Sequence, residues 1–220
     1  MEFARFVGQL KETPRAGWIL RGIQNPESVA DHSYRMSMLA LFLLDSIEDV
    51  DALKAAQIAL VHDLAEAEVG DITPFDGISV EEKHRRERAA MTKCASLLLV
   101  SDPSSATKLL NLYEEYERGE SIESKYVKDL DKIDMLLQAD EYERAFPPVD
   151  LSSFFEGTRG KFKTTFGKNF LAKLEKDRNQ RLKVETSARR ASQATTTTSM
   201  RLIFISVAAA AAAVFWLKRK

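Results

Sequence analysis

The chain has 220 residues, 45% apolar and 30% charged, a composition that excludes a disordered polypeptide and fits a globular domain with a sizeable core. Its 32 Lys and Arg against 33 Asp and Glu leave a net charge of −1, which argues against nucleic acid as a partner, and the single Cys94 excludes a disulfide scaffold and fits a reducing, cytoplasmic compartment. The charge is unevenly spread: residues 186–220 hold six basic side chains and no acidic one, so residues 1–185 carry −7.

Met1 leads directly into a helical pattern, with Phe3, Phe6, Val7 and Leu10 on one face and no secretory leader expected. Pro14, Gly17, Gly22 and Asn25-Pro26 then mark a loop. Ser28 and Asp31 stand three apart, a capping signal ahead of a helix over 29–46. A third helix is predicted over 50–68, followed by a loop with Gly70, Pro74 and Gly77. Ser79 and Glu82 form a capping box for a charged helix, and Asp102-Pro103 caps another that should stop at Gly119. One long helix is predicted over 121–145, halted by Pro147-Pro148, and a last one after Gly167. No strand pattern appears, so the fold class is all-α: a single helical bundle over residues 1–184.

Residues 185–201 read as a flexible, basic, Ser/Thr-rich linker. Beyond it, the 16 residues 202–217 carry no charge and are bounded by Arg201 and Lys218-Arg219-Lys220. As a helix they would extend roughly 24 Å at about 1.5 Å per residue, somewhat short of a bilayer core of about 30 Å. Snorkelling Lys and Arg would make up the difference, so a C-terminal membrane anchor is expected there, with an alanine-rich surface helix as the alternative.

Chemistry concentrates in a few residues. His32 follows Asp31, and His62-Asp63 sits on the apolar run Ile58–Val61. Glu66 lies one helical turn after His62, Asp71 follows Gly70, and Asp131 lies inside the long helix. Each residue alone is unremarkable, since a buried His is commonly a hydrogen-bonded core residue. Carboxylates within apolar surroundings are costly without compensation, however, and a cation supplies it economically. Asp129 and Asp134 flank Asp131 and are expected at the surface. Met36, Met38, Leu39, Phe42 and Leu43 are expected in the core, and His84 on a solvated helix face.

The spacing His32, His62-Asp63 and Asp131 resembles the H…HD…D pattern of the HD-domain metal-dependent phosphohydrolases. The segments Pro26-Glu27-Ser28-Val29-Ala30-Asp31-His32, His62-Asp63-Leu64-Ala65-Glu66 and Gly70-Asp71-Ile72 are closest to its 5′-deoxynucleotidase branch, over roughly residues 3–181. The resemblance implies an all-helical homodimer that hydrolyses deoxyribonucleoside 5′-monophosphates. It implies that His32, His62, Asp63 and Asp131 bind one divalent cation; this mixed nitrogen and oxygen set suits manganese, cobalt or ferrous iron and accepts magnesium or zinc. Glu66 and Asp71 are implied as catalytic acid–base groups or, with the Ile72 carbonyl, as ligands of a second cation. Trp18 is implied near the substrate. Bacterial members carry a phosphate-contacting arginine immediately before this aromatic; here that position is Gly17, and Arg15 or Arg21 is the expected replacement. Two other readings stay open from sequence: an HD-type hydrolase of another nucleotide, and a non-enzymatic, membrane-tethered helical interaction module.

Overall fold

The computed structural model describes residues 1–99 and 102–188. The chain divides into two compact units, Met1–Leu171 and Ala172–Lys220. The first contains α1 (Glu2–Gln9), α2 (Ala16–Ile19), α3 (Val29–Leu43), α4 (Ala52–Val61), α5 (Glu66–Val69), α6 (Val80–Leu99), α7 (Pro103–Arg118), α8 (Ile122–Ala145) and α9 (Ser152–Thr158). Residues 165–171 of the first unit are also helical, as are the described residues of the second, 172–188. Among the described residues there is no strand; an isolated bridge joins Pro14 to Ser28. The all-α expectation holds.

Helix boundaries follow the local chemistry. At the start of α3 the Ser28 side chain accepts from the Asp31 amide while the Asp31 carboxylate accepts from the Ser28 amide, a reciprocal cap. Asp102 caps α7 with Pro103 at its first position, and α7 ends at Gly119, whose φ of 66° is the left-handed conformation that glycine adopts without penalty. Ser121 caps α8 through the Ser124 amide.

α8 is the organising element. It packs against α3, α4, α7 and α9, so it is buried on several sides and not along one stripe. That position overturns the surface assignment of two carboxylates, since both Asp129 and Asp134 are fully buried. Asp129 accepts from the amides of Lys163 and Thr164 and from the Thr164 hydroxyl, at 2.7–3.0 Å. Gly167 approaches the same carboxylate so closely that a Cβ there would stand 2.5 Å from Asp129 Oδ2. A second apolar cluster joins α1, α6 and α7 through Phe6, Leu10, Met91, Cys94, Leu109 and Tyr113.

Six expectations need revision. The helix predicted over 50–68 is two helices, α4 and α5, separated by a turn at His62–Ala65. The loop after Pro14 contains α2, the stretch after Pro148 contains α9, and the last helix begins at 165, ahead of Gly167. On α3, Met36 is buried, but Met38, Phe42 and Leu43 are exposed, because α8 and α4 cover only part of that helix. Residues 185–188, expected in the linker, are helical. Residues 189–201 and the apolar segment 202–217 lie outside the described residues. Among those described, no helix is long and apolar enough to cross a membrane.

Candidate active site

The two histidines are presented by helix ends. His32 is in the first turn of α3, just past the Ser28–Asp31 cap, and His62 is the C-terminal cap of α4. After His62 the backbone tightens to i→i−3 bonds, from Leu64 to Val61, Glu66 to Asp63 and Ala67 to Leu64. His62 Nδ1 bonds the Ala59 carbonyl at 2.8 Å, using an acceptor that a continuing helix would need. The break turns Asp63 toward the histidines and makes Glu66 the first residue of α5. Asp71 follows Gly70, whose φ of 73° reverses the chain at the end of α5. Asp131 comes from the middle of α8, and Arg15 caps α2.

These side chains converge. The ligand atoms of His32, His62 and Asp63 lie within 4.8 Å of one another. His62 Nε2 is 3.0 Å and His32 Nε2 3.7 Å from Asp63 Oδ2, and His32 Nε2 is 3.4 Å from Asp131 Oδ1. Neither Nε2 has a hydrogen-bond partner, although both rings are buried. Each Nδ1 is engaged, His62 on the Ala59 carbonyl and His32 on Asp134 Oδ2 at 2.7 Å. A carbonyl only accepts, so His62 Nδ1 carries the hydrogen, and in the neutral ring Nε2 is a bare lone pair facing a carboxylate oxygen. Two acceptors that close repel unless a proton or a metal ion lies between them. Two imidazoles and two carboxylates meeting this way form a donor set that fits a divalent cation, and the outer Nδ1 bonds fix the rings in the ligating orientation.

The electrostatics show what balances the carboxylates without such an ion. Burial alone would raise the Asp63 carboxyl, but His62, Arg15 and His32 hold it well below the usual range. Asp131 is likewise held low against burial, mainly by His32, then His62 and Arg15. Arg15 reaches both, with Nη1 3.2 Å from Asp63 and Nη2 3.9 Å from Asp131. Burial and Arg15 work against a charged His32, yet Asp131 and Asp134 prevail and lift it to about 9. Glu66 is different: burial, then Asp63 and Asp71, push its carboxyl well above the ordinary value, and its Oε2 has no hydrogen-bond partner.

Asp71 accepts from the Ala16 amide at 2.8 Å, tying the loop after α5 to α2. The Ile72 carbonyl accepts from Lys83 Nζ at 3.2 Å, so the positive charge beside that carbonyl is a lysine of α6. Trp18 is buried, with its indole N–H on Glu27 at 2.9 Å and its ring 4.6 Å from that of Phe154. Arg21 lies over Phe154, its Cζ 5.6 Å from the ring centroid, while Arg15 is the arginine at the carboxylates. His84 is half exposed and pairs with Glu117 at 2.9 Å, as a solvated helix face implies.

Three contributors escaped the sequence reading. Asp134 orients His32 and is itself gripped by Arg35. Tyr116 donates to Asp131 Oδ2 at 3.3 Å and packs edge-on to His62; burial and Asp131 raise its phenol well above the ordinary value, keeping it a neutral donor. Lys83 faces Glu66, Asp63 and Asp71 together with Glu87, and these acids keep it charged against burial. Their signal was helical spacing: Asp134 follows Val127 and Leu130 by seven and four, and Lys83 precedes Glu87, Ala90 and Cys94 by four, seven and eleven.

The HD domain family model matches residues 7–169. The 5′-deoxynucleotidase HDDC2 of Danio rerio is 49% identical over 163 residues, covering 74% of this chain and 79% of that protein. The human protein of the same name is 44% identical over 189 residues, 85% of this chain and 90% of its own. Among solved structures, a conserved hypothetical protein from Pyrococcus furiosus superposes with a TM-score of 0.63 at 31% identity, over 81% of this chain and 98% of that one.

Two outcomes follow from the His32 environment. Asp134→Asn should weaken divalent-cation binding about 10–100-fold, as loss of a ligand's orienting partner generally does, measured by calorimetric titration with Mn²⁺. Unaltered affinity would show that Asp134 does not hold the ring. In metal-free protein a His32 lifted from 6.5 to about 9 contributes stability that is complete below 6.5 and lost as pH rises through about 9. The melting temperature of chelator-treated wild type should therefore fall across that window more than that of His32→Gln, and parallel profiles would remove His32 as the source.

Proposed function

The chain belongs to the HD-domain family, and from that membership we propose that it is a 5′-deoxynucleotidase, a phosphomonoesterase that hydrolyses deoxyribonucleoside 5′-monophosphates to deoxynucleoside and phosphate. The observation that carries this reading is the convergence of His32, His62 and Asp63, with both Nε2 atoms unpartnered, in a chain closely similar to proteins named 5′-deoxynucleotidase. The non-enzymatic alternative is disfavoured by the same convergence, since a tethering module has no use for partly buried carboxylates gathered against two buried imidazoles.

His32, His62, Asp63 and Asp131 would hold one divalent cation, manganese, cobalt or magnesium. When bound, the ion supplies Lewis acidity at the phosphate and acidifies coordinated water. The chain's own groups do the rest. Arg15 lies with its guanidinium against Asp63 and Asp131 and offers paired N–H donors to a phosphate that competes for it. Glu66 is the group to orient the attacking water and take its proton, through a carboxyl oxygen that no neighbour occupies. Asp71 is the group to deliver a proton to the leaving 5′-oxygen, held in place by the Ala16 amide. Lys83 at the Ile72 carbonyl places a protein cation among Glu66, Asp71 and that carbonyl, which favours the acid–base roles over a second metal there.

A homodimer belongs to the same reading. Its support is an apolar strip on α3, where Tyr34, Met38 and Phe42 recur every four residues and are 65%, 39% and 67% exposed.

Purified protein should release phosphate from a panel of deoxyribonucleoside 5′-monophosphates with Mn²⁺, Co²⁺ or Mg²⁺. Asp63→Ala should lower kcat/KM by at least about 100-fold, beyond the 10–100-fold typical of outer-shell changes. Arg15→Ala should raise KM by about 10-fold or more, the loss of a charged hydrogen bond, with Arg21→Ala affecting it less. No turnover on any nucleotide would sink the enzyme reading. Sedimentation should show a dimer that Phe42→Lys converts to monomer; a wild-type monomer would withdraw the interface.

A further inference from the structure

A cavity of about 230 Å³ opens beside the carboxylate cluster. Arg15 and Asp71 are among its lining residues, as are Arg21, Phe75, Met135 and Phe154. Its two ends differ in chemistry. The Arg15–Asp71 end is the charged site described above. The other is aromatic and aliphatic apart from Arg21, and the polar groups of its turn are committed: the Thr73 amide and hydroxyl both donate to Asp76, at 2.6 and 2.8 Å, and the Phe75 amide donates to Thr73 Oγ1 at 3.2 Å.

That hydrogen-bonded turn, 73–76, carries Phe75 at its tip, 76% exposed. An exposed phenylalanine leaves a large apolar ring in water, which nothing in the turn requires, since the turn is closed by Thr73 and Asp76 alone. Across the cavity, Phe154 is backed by Trp18, with ring centroids 4.6 Å apart, and carries Arg21 over its face. Gly17 lies against the Phe154 ring, at a distance where a Cβ would make ordinary contact at 3.8 Å.

We propose that Phe75 and the Phe154–Arg21 pair form the subsite that stacks the nucleobase of the substrate, with Phe75 the residue that sets how much the base adds to binding. This rests on the nucleotidase reading, which places the phosphate at the Arg15 end. The occupant is then whatever a phosphate carries a sugar's length away, and aromatic faces with a guanidinium beside them select a flat π-system. The volume agrees: it falls below the roughly 300–1,000 Å³ of sites that enclose drug-sized ligands and suits one ring system in a cleft, not a whole nucleotide.

The test compares a substrate with the base against one without it. The ratio of kcat/KM for deoxyadenosine 5′-monophosphate to that for 2-deoxyribose 5-phosphate is measured on the metal-loaded full chain, wild type, Phe75→Ala and Phe75→Trp. The proposal expects this ratio to fall about 10-fold in Phe75→Ala, through KM, and to be kept or raised in Phe75→Trp. An unchanged ratio in Phe75→Ala, whether both substrates are unaffected or both slow together, overturns it, as does a wild-type ratio of one. If wild type hydrolyses neither compound, the hydrolase reading fails on its own. Equilibrium dialysis of deoxyadenosine then judges the subsite: about 10-fold weaker retention by Phe75→Ala supports it, and equal or absent retention overturns it.

Discussion

Two carboxylates held ionised inside a helical bundle are the constraint on which this structure turns. Asp63 and Asp131 sit where burial disfavours their charge, so the surroundings must return positive charge to them. The protein meets that demand with two cations of its own, the Arg15 guanidinium and a protonated His32. A divalent ion carries the same two charges in one centre. Held by these residues, it would supply the charge that burial of the carboxylates demands.

The same demand explains where the helices stop. A continuous helix from Ala52 to Val69 would keep His62 on the axis of α4 and direct Asp63 a full 100° around it. Ending α4 at His62 brings the imidazole and its neighbouring carboxylate to one point, and the Ala59 carbonyl, bonded by His62 Nδ1, is not left bare. Beneath His32, the Asp134–Arg35 pair is held by Glu141, with Nη1 2.8 Å away. The ligand shell is thus supported from behind by secondary structure on α3 and α8, the arrangement that holds rotamers to the tolerances a reactive site needs.

Much of this was legible in the sequence. The capping chemistry at Ser28 and Asp102 is local and it placed the starts of α3 and α7 well, while the Pro147-Pro148 pair bounded α8. His32, His62, Asp63 and Asp131 were identifiable because their spacing resembles a known family pattern. What failed was information that depends on the partner element. Asp129 and Asp134 read as surface charges because a helix is ordinarily wet on one side, but α8 is enclosed by four neighbours and has little wet side to offer. The break at His62 was hidden because Ile58 to Leu64 keeps a helical apolar rhythm through it. Conversely, Met38 and Phe42 read as core because they are apolar, though the helix face they occupy is uncovered.

The two ends of the cleft differ in how firmly they are determined. At the carboxylate end nearly every polar atom has a named partner on a helix, and the few without one, the two Nε2 atoms and Glu66 Oε2, point to the chemistry. At the aromatic end one wall is the Phe154 face, fixed by Trp18 and α9, and the other is an exposed ring on a short turn. Phosphate transfer tolerates little misplacement of the reacting groups, whereas stacking tolerates a shifted ring because every base presents a π-face. A helical frame for the first and a turn for the second is the division of rigidity that the two tasks require. A substitution at residue 75 would then alter how tightly the nucleoside is held without disturbing the groups that hydrolyse it.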